Sequence, residues 1–196
     1  MPGDMWPTYS AAVVRSLSGQ REAVVARWGL IAASSKQLNP GLSTFNARCE
    51  SVATTPTFKG AWTKGQRCVV PCEAIYEPDW RTGRHVPTRL QRVDGQPMGV
   101  AGLWDSWAAP TGEVFLSFTM LTVNAENHPL MKHLHKPQDE KRMVVILDEG
   151  DYDNWISAAP LLAPANLSAL FKPFPADKLL AISEPSRTVQ DNPMLF

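Results

Sequence analysis

Short apolar, β-branched runs separated by tight-turn residues dominate this chain and restrict what it can fold into. Residues 11–15 and 22–28 are two such runs, and the polar segment between them contains Ser18-Gly19, which predicts a β-hairpin. Residues 114–123 form a long, nearly continuous apolar run, which predicts a central strand. Hairpins with few and short helices predict an α+β fold. Its mainly antiparallel sheet would close partly on itself, like a barrel, with short helices at the periphery.

Two local signals predict further elements. Asp94-Gly95 is the strongest hairpin signal in the chain and would join a strand over residues 87–93 to a partner over residues 98–104. A short helix is expected over residues 48–52, and Pro56 is expected to end it because proline disrupts a helix interior.

The length, net charge and apolar runs of the chain restrict the classes of protein to which it can belong. The 196 residues predict one domain spanning the whole chain, and 19 basic against 19 acidic residues leave no net charge to attract nucleic acid or a membrane. A site for a polyanion would therefore be a local patch. No apolar run approaches the roughly 20 residues that span a bilayer, and no signal-peptide pattern is present, so a cytoplasmic protein is expected. A monomer is favoured, although the sequence leaves the oligomeric state open.

Residues 67–80, RCVVPCEAIYEPDW, place a charged group in an unusual setting. The apolar start reads as a buried strand, and Glu77 follows between Tyr76 and Pro78. A carboxylate at the end of a core strand, among aromatic rings, is suited to general acid/base work. The alternative is an exposed carboxylate at a strand end, which has no chemical role.

Two other polar groupings are candidates for a site. In Asn46-Ala47-Arg48, the guanidinium can bind phosphate and the amide can hold an oxygen, although a capping Asn beside a surface ion pair would give the same pattern. His133 and His135 alternate, so in an extended segment their rings would share a face and one could act as an acid or base. The other would be an ordinary loop histidine.

A metal site is the weakest candidate. Cys49, Cys68 and Cys72, with the histidine pair, could nominally supply zinc ligands. The apolar neighbours of Cys68 and Cys72 indicate core thiols instead, and no second tight pair completes a known spacing. We therefore expect no metal and no cofactor, and an odd cysteine count does not suggest a secreted disulfide framework.

Several short motifs, taken in order, resemble the SRAP family, the SOS response-associated peptidase domain. They are RWGL at residues 27–30, FNAR at 45–48, PTFK at 56–59, RCVVP at 67–71, IYE at 75–77, AGLW at 101–104, and His135 ahead of the strand at 142–147. The resemblance implies a single-domain protein of the DNA damage response that binds abasic sites in single-stranded DNA. It also implies that the protein forms a protective covalent DNA-protein crosslink there.

The resemblance also implies roles for individual residues. Asn46 would hold the modified sugar and Arg48 a flanking phosphate. Glu77 would move protons during ring opening and Schiff-base closure, and His135 would be the second acid/base, with His133 as the fallback.

DNA bases would stack on exposed aromatics such as Trp28 or Trp62.

The sequence departs from the family pattern at its start. Members carry a cysteine after removal of the initiator Met, and its amine and thiol close a thiazolidine with the sugar aldehyde, whereas this sequence begins Met1-Pro2-Gly3-Asp4. We expect that the start was assigned too late, or that this member binds DNA without crosslinking. The internal cysteines cannot replace the nucleophile because they lack an adjacent α-amine. The alternative functions are a thiol-type peptidase using the same pocket and a non-catalytic single-stranded DNA-binding module.

Overall fold

The computed structural model describes residues 4–38, 43–157 and 167–183. The strands are β1 Ser10–Leu17, β2 Gln20–Trp28, β3 Asn46–Arg48, β4 Arg67–Cys72, β5 Ile75–Asp79, β6 Val86–Arg92, β7 Met98–Ala108, β8 Val114–Asn124, β9 Arg142–Val144, β10 Ile146–Leu147 and β11 Leu179–Ser183. The helices are α1 Pro56–Thr63 and α2 Tyr152–Ser157, with 3-10 turns at Met131–His133, Glu149–Asp151, Ser168–Leu170 and Ala176–Lys178.

The larger sheet closes on itself. Within the described ranges, β7 neighbours β4, β4 neighbours β1, β1 pairs with β2, β2 pairs with β8, and β8 pairs again with β7. The β1–β2 and β7–β8 pairs are antiparallel, whereas β2 and β3 run parallel to β8. The prediction of an α+β fold with a barrel-like sheet and short helices is confirmed, and residues 114–124 are its central strand.

The first predicted hairpin is also confirmed. Leu17 pairs with Gln20 across a two-residue turn in which Ser18 and Gly19 have positive φ values of 52° and 78°. Positive φ at both central positions is the type I′ geometry, whose twist matches that of the flanking strands.

The predicted hairpin at Asp94-Gly95 is wrong. The Asp94 carboxylate accepts hydrogen bonds from the Arg92 side chain and the Gln96 amide, so a turn forms locally. However, β6 pairs with β5 and β11 in a three-stranded antiparallel sheet, whereas β7 belongs to the closed sheet. The turn residues determine local geometry, and the apolar faces of the two strands determine their partners.

The predicted helix over residues 48–52 is misplaced. Arg48 ends β3 and residues 49–52 form turns, and α1 instead begins at Pro56, with Thr55 in the extended N-cap position. Proline is favoured at the first helical position, because its missing N–H would have no partner there and its φ suits a helix.

The chain divides into two compact units. The first comprises Met1–Pro71, Gly99–Val123 and Val144–Pro173, and the second comprises Cys72–Met98, Asn124–Met143 and Phe174–Phe196. The first unit contains the main hydrophobic cluster, in which Leu103, Leu121 and Trp155 are fully buried. The second contains the β11-β6-β5 sheet. That the 196 residues act as a single domain stays a prediction. No described helix is long and apolar enough to cross a membrane.

Gly102 tests how closely β7 and β8 pack. A Cβ at this position would lie 2.8 Å from the Thr119 carbonyl oxygen and 3.0 Å from the Cys68 Sγ. Gly102→Ala should therefore lower the free energy of unfolding by about 1–3 kcal/mol in denaturant titrations. Gly60→Ala is the matched control: nothing lies within 4 Å of a Cβ there, and alanine in this helix should raise stability by up to about 1 kcal/mol. Equal effects of both substitutions would contradict the close packing.

Candidate functional site

Glu77 lies in a strand of its own, β5, and not at the end of β4. Successive side chains of a strand point to opposite faces, and along β5 Tyr76 is exposed whereas Asp79 is buried. Glu77 is therefore on the same face as Asp79, and its backbone pairs with buried Thr88 of β6. The strand directs the carboxylate toward the interior of the second unit.

The segment after β8 brings a histidine to this face of β5. Leu134 is buried and forms an isolated antiparallel bridge with Asp79, and the His135 amide donates a hydrogen bond of 2.7 Å to the Pro78 carbonyl. Two backbone contacts thus fix His135 beside the strand that carries Glu77.

His128 shapes the start of the same segment. Its Nδ1 accepts hydrogen bonds from the Leu130 and Met131 amides, at 3.3 and 3.0 Å, and its Nε2 lies 2.9 Å from the Phe174 carbonyl oxygen. The buried ring therefore serves as a structural cap for the 3-10 turn that precedes His135.

Glu77 and His135 form an ion pair. The His135 Nε2 lies 2.9 Å from the Glu77 Oε2, and the two side chains are only 23% and 18% exposed. The hydrogen bond to the Glu77 carboxylate raises the pKa of His135 above its ordinary value. Burial of the ring acts in the opposite direction but is the smaller effect. The pair can hold and move a proton near neutral pH.

The backbone of His135 is strained. Its φ of 67° lies in the left-handed region, which among described non-glycine residues is shared only by Thr8 and Ser18. Such a conformation costs about 1–3 kcal/mol and persists where surrounding contacts enforce it. His133, by contrast, is exposed and lies in the 3-10 turn, so the alternation expected of an extended segment does not apply.

Asn46 and Arg48 are on β3 in the first unit. They flank Ala47, which is fully buried, and both are exposed, so their side chains leave the same face of the strand. The strand pairs in parallel with β8, with Asn46 opposite Met120 and Arg48 opposite Thr122. The sequence predicted a helix from residue 48, but both residues lie on β3, which presents an amide and a guanidinium together.

Trp28 and Trp62 are both partly committed to protein packing. Trp28 stacks on Phe118 with an interplanar angle of 8°, and its Nε1 donates a hydrogen bond of 2.9 Å to the Phe45 carbonyl. The ring of Trp62 lies 6.1 Å from that of Phe171. DNA bases could therefore stack only on the remaining exposed parts of these indoles.

Cys68 is a buried core thiol, whereas Cys72, at the end of β4, is only partly buried. Burial raises the pKa of both, to about 12 for Cys72, so both are protonated at neutral pH. Among the residues with described positions, no three His, Cys, Asp or Glu side chains are placed to hold a metal ion.

Comparison with known proteins identifies the family. A family model described as SOS response associated peptidase (SRAP) matches residues 3–191. The chain belongs to the SRAP family.

Relatives and a solved structure support this membership. The abasic site processing protein YoqW of Bacillus subtilis is 27% identical over 189 residues, which cover 91% of this SRAP chain and 79% of that protein. The abasic site processing protein HMCES of Gallus gallus is 27% identical over 165 residues, covering 72% of this chain and 47% of that protein. A crystal structure of a protein from Bordetella bronchiseptica matches with a TM-score of 0.84 and 43% identity, over 94% of this chain and 88% of that one.

The sequence did not predict one buried charged residue, Lys141, near the Glu77–His135 pair. Lys141 is only 6% exposed, yet it comes from a run of charged residues that reads as a solvated loop. No pattern in the sequence distinguishes it from its charged neighbours, because its burial depends on carbonyl groups of the loop itself.

The raised pKa of His135 predicts a pH-dependent contribution to stability. The imidazolium stabilised by Glu77 contributes fully below the unfolded-state pKa of about 6.5, and the contribution is lost as the pH rises through the higher folded-state pKa. Wild type should therefore exceed Glu77→Gln in free energy of unfolding by about 1 kcal/mol near pH 6, with a smaller difference at pH 9. Denaturant titrations across this range measure it.

Glu73→Gln is the control, because Glu73 is an exposed glutamate just before β5. Its difference from wild type should not vary with pH in this range. A difference for Glu77→Gln that stays constant from pH 6 to 9 would show that the ion pair does not contribute.

Proposed function

We propose that this protein binds abasic sites in single-stranded DNA and forms a protective covalent crosslink there, as part of the response to DNA damage. The observation that carries the proposal is the Glu77–His135 pair, which combines a 2.9 Å contact with partial burial. Membership of the SRAP family and the abasic site processing relatives support the choice of substrate.

The chemistry requires proton transfer at several steps. An abasic sugar must open to its aldehyde, an amine must add to the carbonyl carbon, and water must leave to give an iminium. A carboxylate can accept the proton released by the amine, and an imidazolium can donate a proton to the departing oxygen. Glu77 and His135 are the residues that we assign to these transfers, because the carboxylate can accept a proton and the imidazolium that it stabilises can donate one.

The remaining residues would bind DNA. Arg48 can contact a phosphate bidentately, and Asn46, on the same face of β3, can hold a sugar oxygen. Trp28 and Trp62 would provide partial stacking surfaces for neighbouring bases. The zero net charge makes these few contacts responsible for affinity.

A thiazolidine crosslink needs a cysteine whose α-amine is free, because the amine forms the iminium and the thiol closes the ring. Cys49, Cys68 and Cys72 are internal, and the thiols of Cys68 and Cys72 are held protonated by burial. The reaction therefore requires a form of the protein that begins with cysteine.

Two other functions use the same residues. A thiol-type peptidase would cleave a peptide bond with the assistance of His135, and a non-catalytic module would bind single-stranded DNA without favouring abasic sites. Equal affinity for intact and abasic strands would favour the module, and cleavage of peptides by a form with N-terminal cysteine, unaffected by abasic DNA, would favour the peptidase.

DNA binding should be weak and salt-dependent, and Arg48 should contribute to both properties. Arg48→Ala should weaken binding to a labelled abasic strand and reduce the slope of log affinity against log salt by about 0.7, the value for one lost phosphate contact on a single strand. Fluorescence anisotropy at several salt concentrations measures both. Arg84→Ala, which removes an exposed guanidinium between β5 and β6, should change neither. Matching curves for Arg48→Ala and wild type would remove Arg48 from the interface.

Crosslinking tests the chemistry directly. A form extended at its amino terminus so that, as in other family members, a cysteine comes first after removal of the initiator Met should give a stable adduct with abasic single-stranded DNA on a denaturing gel. The same form with Glu77→Gln should react at least tenfold more slowly, because the amide keeps the shape and removes the proton acceptor. The 196-residue chain should give no stable adduct, since its thiols have no adjacent α-amine.

The outcomes separate the alternatives. A stable adduct from the 196-residue chain would overturn the requirement for an N-terminal cysteine. No adduct from a correctly folded extended form would show that this member does not crosslink.

A further inference from the structure

A buried ammonium group organises the loop that follows His135. The Lys141 Nζ donates hydrogen bonds to the carbonyl oxygens of Lys136, Pro137 and Asp139, at 2.6, 3.3 and 2.6 Å. An ammonium has three donors, so the loop satisfies all of them with its own backbone. Lys141 therefore serves as an internal cation around which residues 136–139 are wrapped.

The base of this lysine is fixed as well. The Lys141 amide donates a 2.8 Å hydrogen bond to the Glu126 Oε1, and its carbonyl accepts one of 2.8 Å from the Ala125 amide. The ammonium thus enters the loop from a backbone position that is tied to the end of β8. Loop and lysine thus form one hydrogen-bonded assembly.

The strained conformation of His135 needs support on both sides. On the amino-terminal side, the Leu134–Asp79 bridge and the Pro78 carbonyl provide it. On the carboxyl-terminal side, the next residue is Lys136, whose carbonyl is one of the ligands of the Lys141 ammonium. Left-handed backbone at a non-glycine residue persists only where the neighbouring structure enforces it.

We propose that Lys141 is a positioning residue: its ammonium holds the loop after His135 and thereby keeps the imidazole against the Glu77 carboxylate. The catalytic meaning of this role rests on the proposed function, but the positioning itself does not.

The test must separate the effect of the Lys141 charge on the pKa of His135 from its effect on the position of the His135 ring. Glu77 and Lys141 are the charged groups that act on the protonation of His135, and Lys141, being positive, favours the neutral ring. Removing Lys141 thus changes the pKa of His135 both directly and through any movement of the ring away from Glu77. A comparison made with and without Glu77 cancels the direct effect.

The experiment is a double-mutant cycle read by NMR titration of the His135 ring, in the full chain without DNA. In wild type, Glu77→Gln should lower the pKa of His135, because the adjacent carboxylate stabilises the imidazolium. In Lys141→Met, which keeps a similar unbranched apolar stem, Glu77→Gln should lower it by less than half as much. The same decrease in both backgrounds would overturn the proposal.

Lys132→Met is the matched control. It removes an equal charge from an exposed position in the preceding 3-10 turn, and it should leave the full effect of Glu77→Gln in place. A reduction of that effect by Lys132→Met as large as that by Lys141→Met would also contradict a specific role for Lys141.

Glu126→Ala provides the test if Lys141→Met does not fold. Glu126 is exposed, and its removal frees the Lys141 amide without emptying the loop. It should reduce the effect of Glu77→Gln on His135 by a measurable fraction, and an undiminished effect would overturn the proposal. Because no DNA is used, a protein that passes this cycle and does not process abasic DNA refutes the proposed function alone.

Discussion

Closure of the larger sheet is the constraint on which the first unit depends. β2 and β8 meet in parallel over only two residue pairs, Arg27 with Ser117 and Trp28 with Phe118. Stacking of the Trp28 and Phe118 rings reinforces this short seam, and the Gly29 amide extends it with a 2.9 Å hydrogen bond to the Phe118 carbonyl. β3 then continues along the edge of β8 where β2 ends, and this places Asn46 and Arg48. The exposed pair of polar side chains is thus a consequence of how the barrel closes, since a closed sheet leaves its central strand no other edge to offer.

The sequence predicts elements well where local chemistry decides them, and poorly where distant residues do. Ser18-Gly19 specifies a type I′ turn through its own backbone preferences, so the β1–β2 hairpin follows from the sequence. Asp94-Gly95 carries an equally strong signal, yet its flanking strands enter different sheets, because buried Leu90 of β6 pairs with β5 and β11 while Gly102 of β7 fits against β8. Pro56 shows the same limit at a helix. Proline favours a helix at its first position and disrupts it in the interior, and the position of Pro56 depends on where Phe58 and Ala61 of α1 pack in the core.

The candidate site divides in the same way. Asn46 and Arg48 were identified from their residue types, but the sequence predicted a helix from residue 48, and their shared face follows from the strand period of two only once β3 is known. His133 and His135 were expected to share a face of an extended segment. That expectation fails, because a 3-10 turn and a left-handed residue replace the extended segment. The burial of Lys141 could not be predicted from the sequence, for a different reason. A lysine in a charged loop is normally solvated, and nothing local shows that three carbonyl groups of the loop will enclose its ammonium.

The Glu77–His135 pair illustrates why such a site is built from strained and buried parts. An ion pair between exposed side chains contributes little, because water screens it and the side chains lose conformational freedom when they meet. Here the second partner is carried on a backbone already fixed by the Pro78 carbonyl and by the bridge between Leu134 and Asp79, so little freedom remains to be lost when the ring meets the carboxylate. Partial burial then strengthens the interaction, and the imidazolium is favoured although burial alone would disfavour it. The strained left-handed backbone of His135 thus holds a proton donor in a fixed position beside a fixed acceptor.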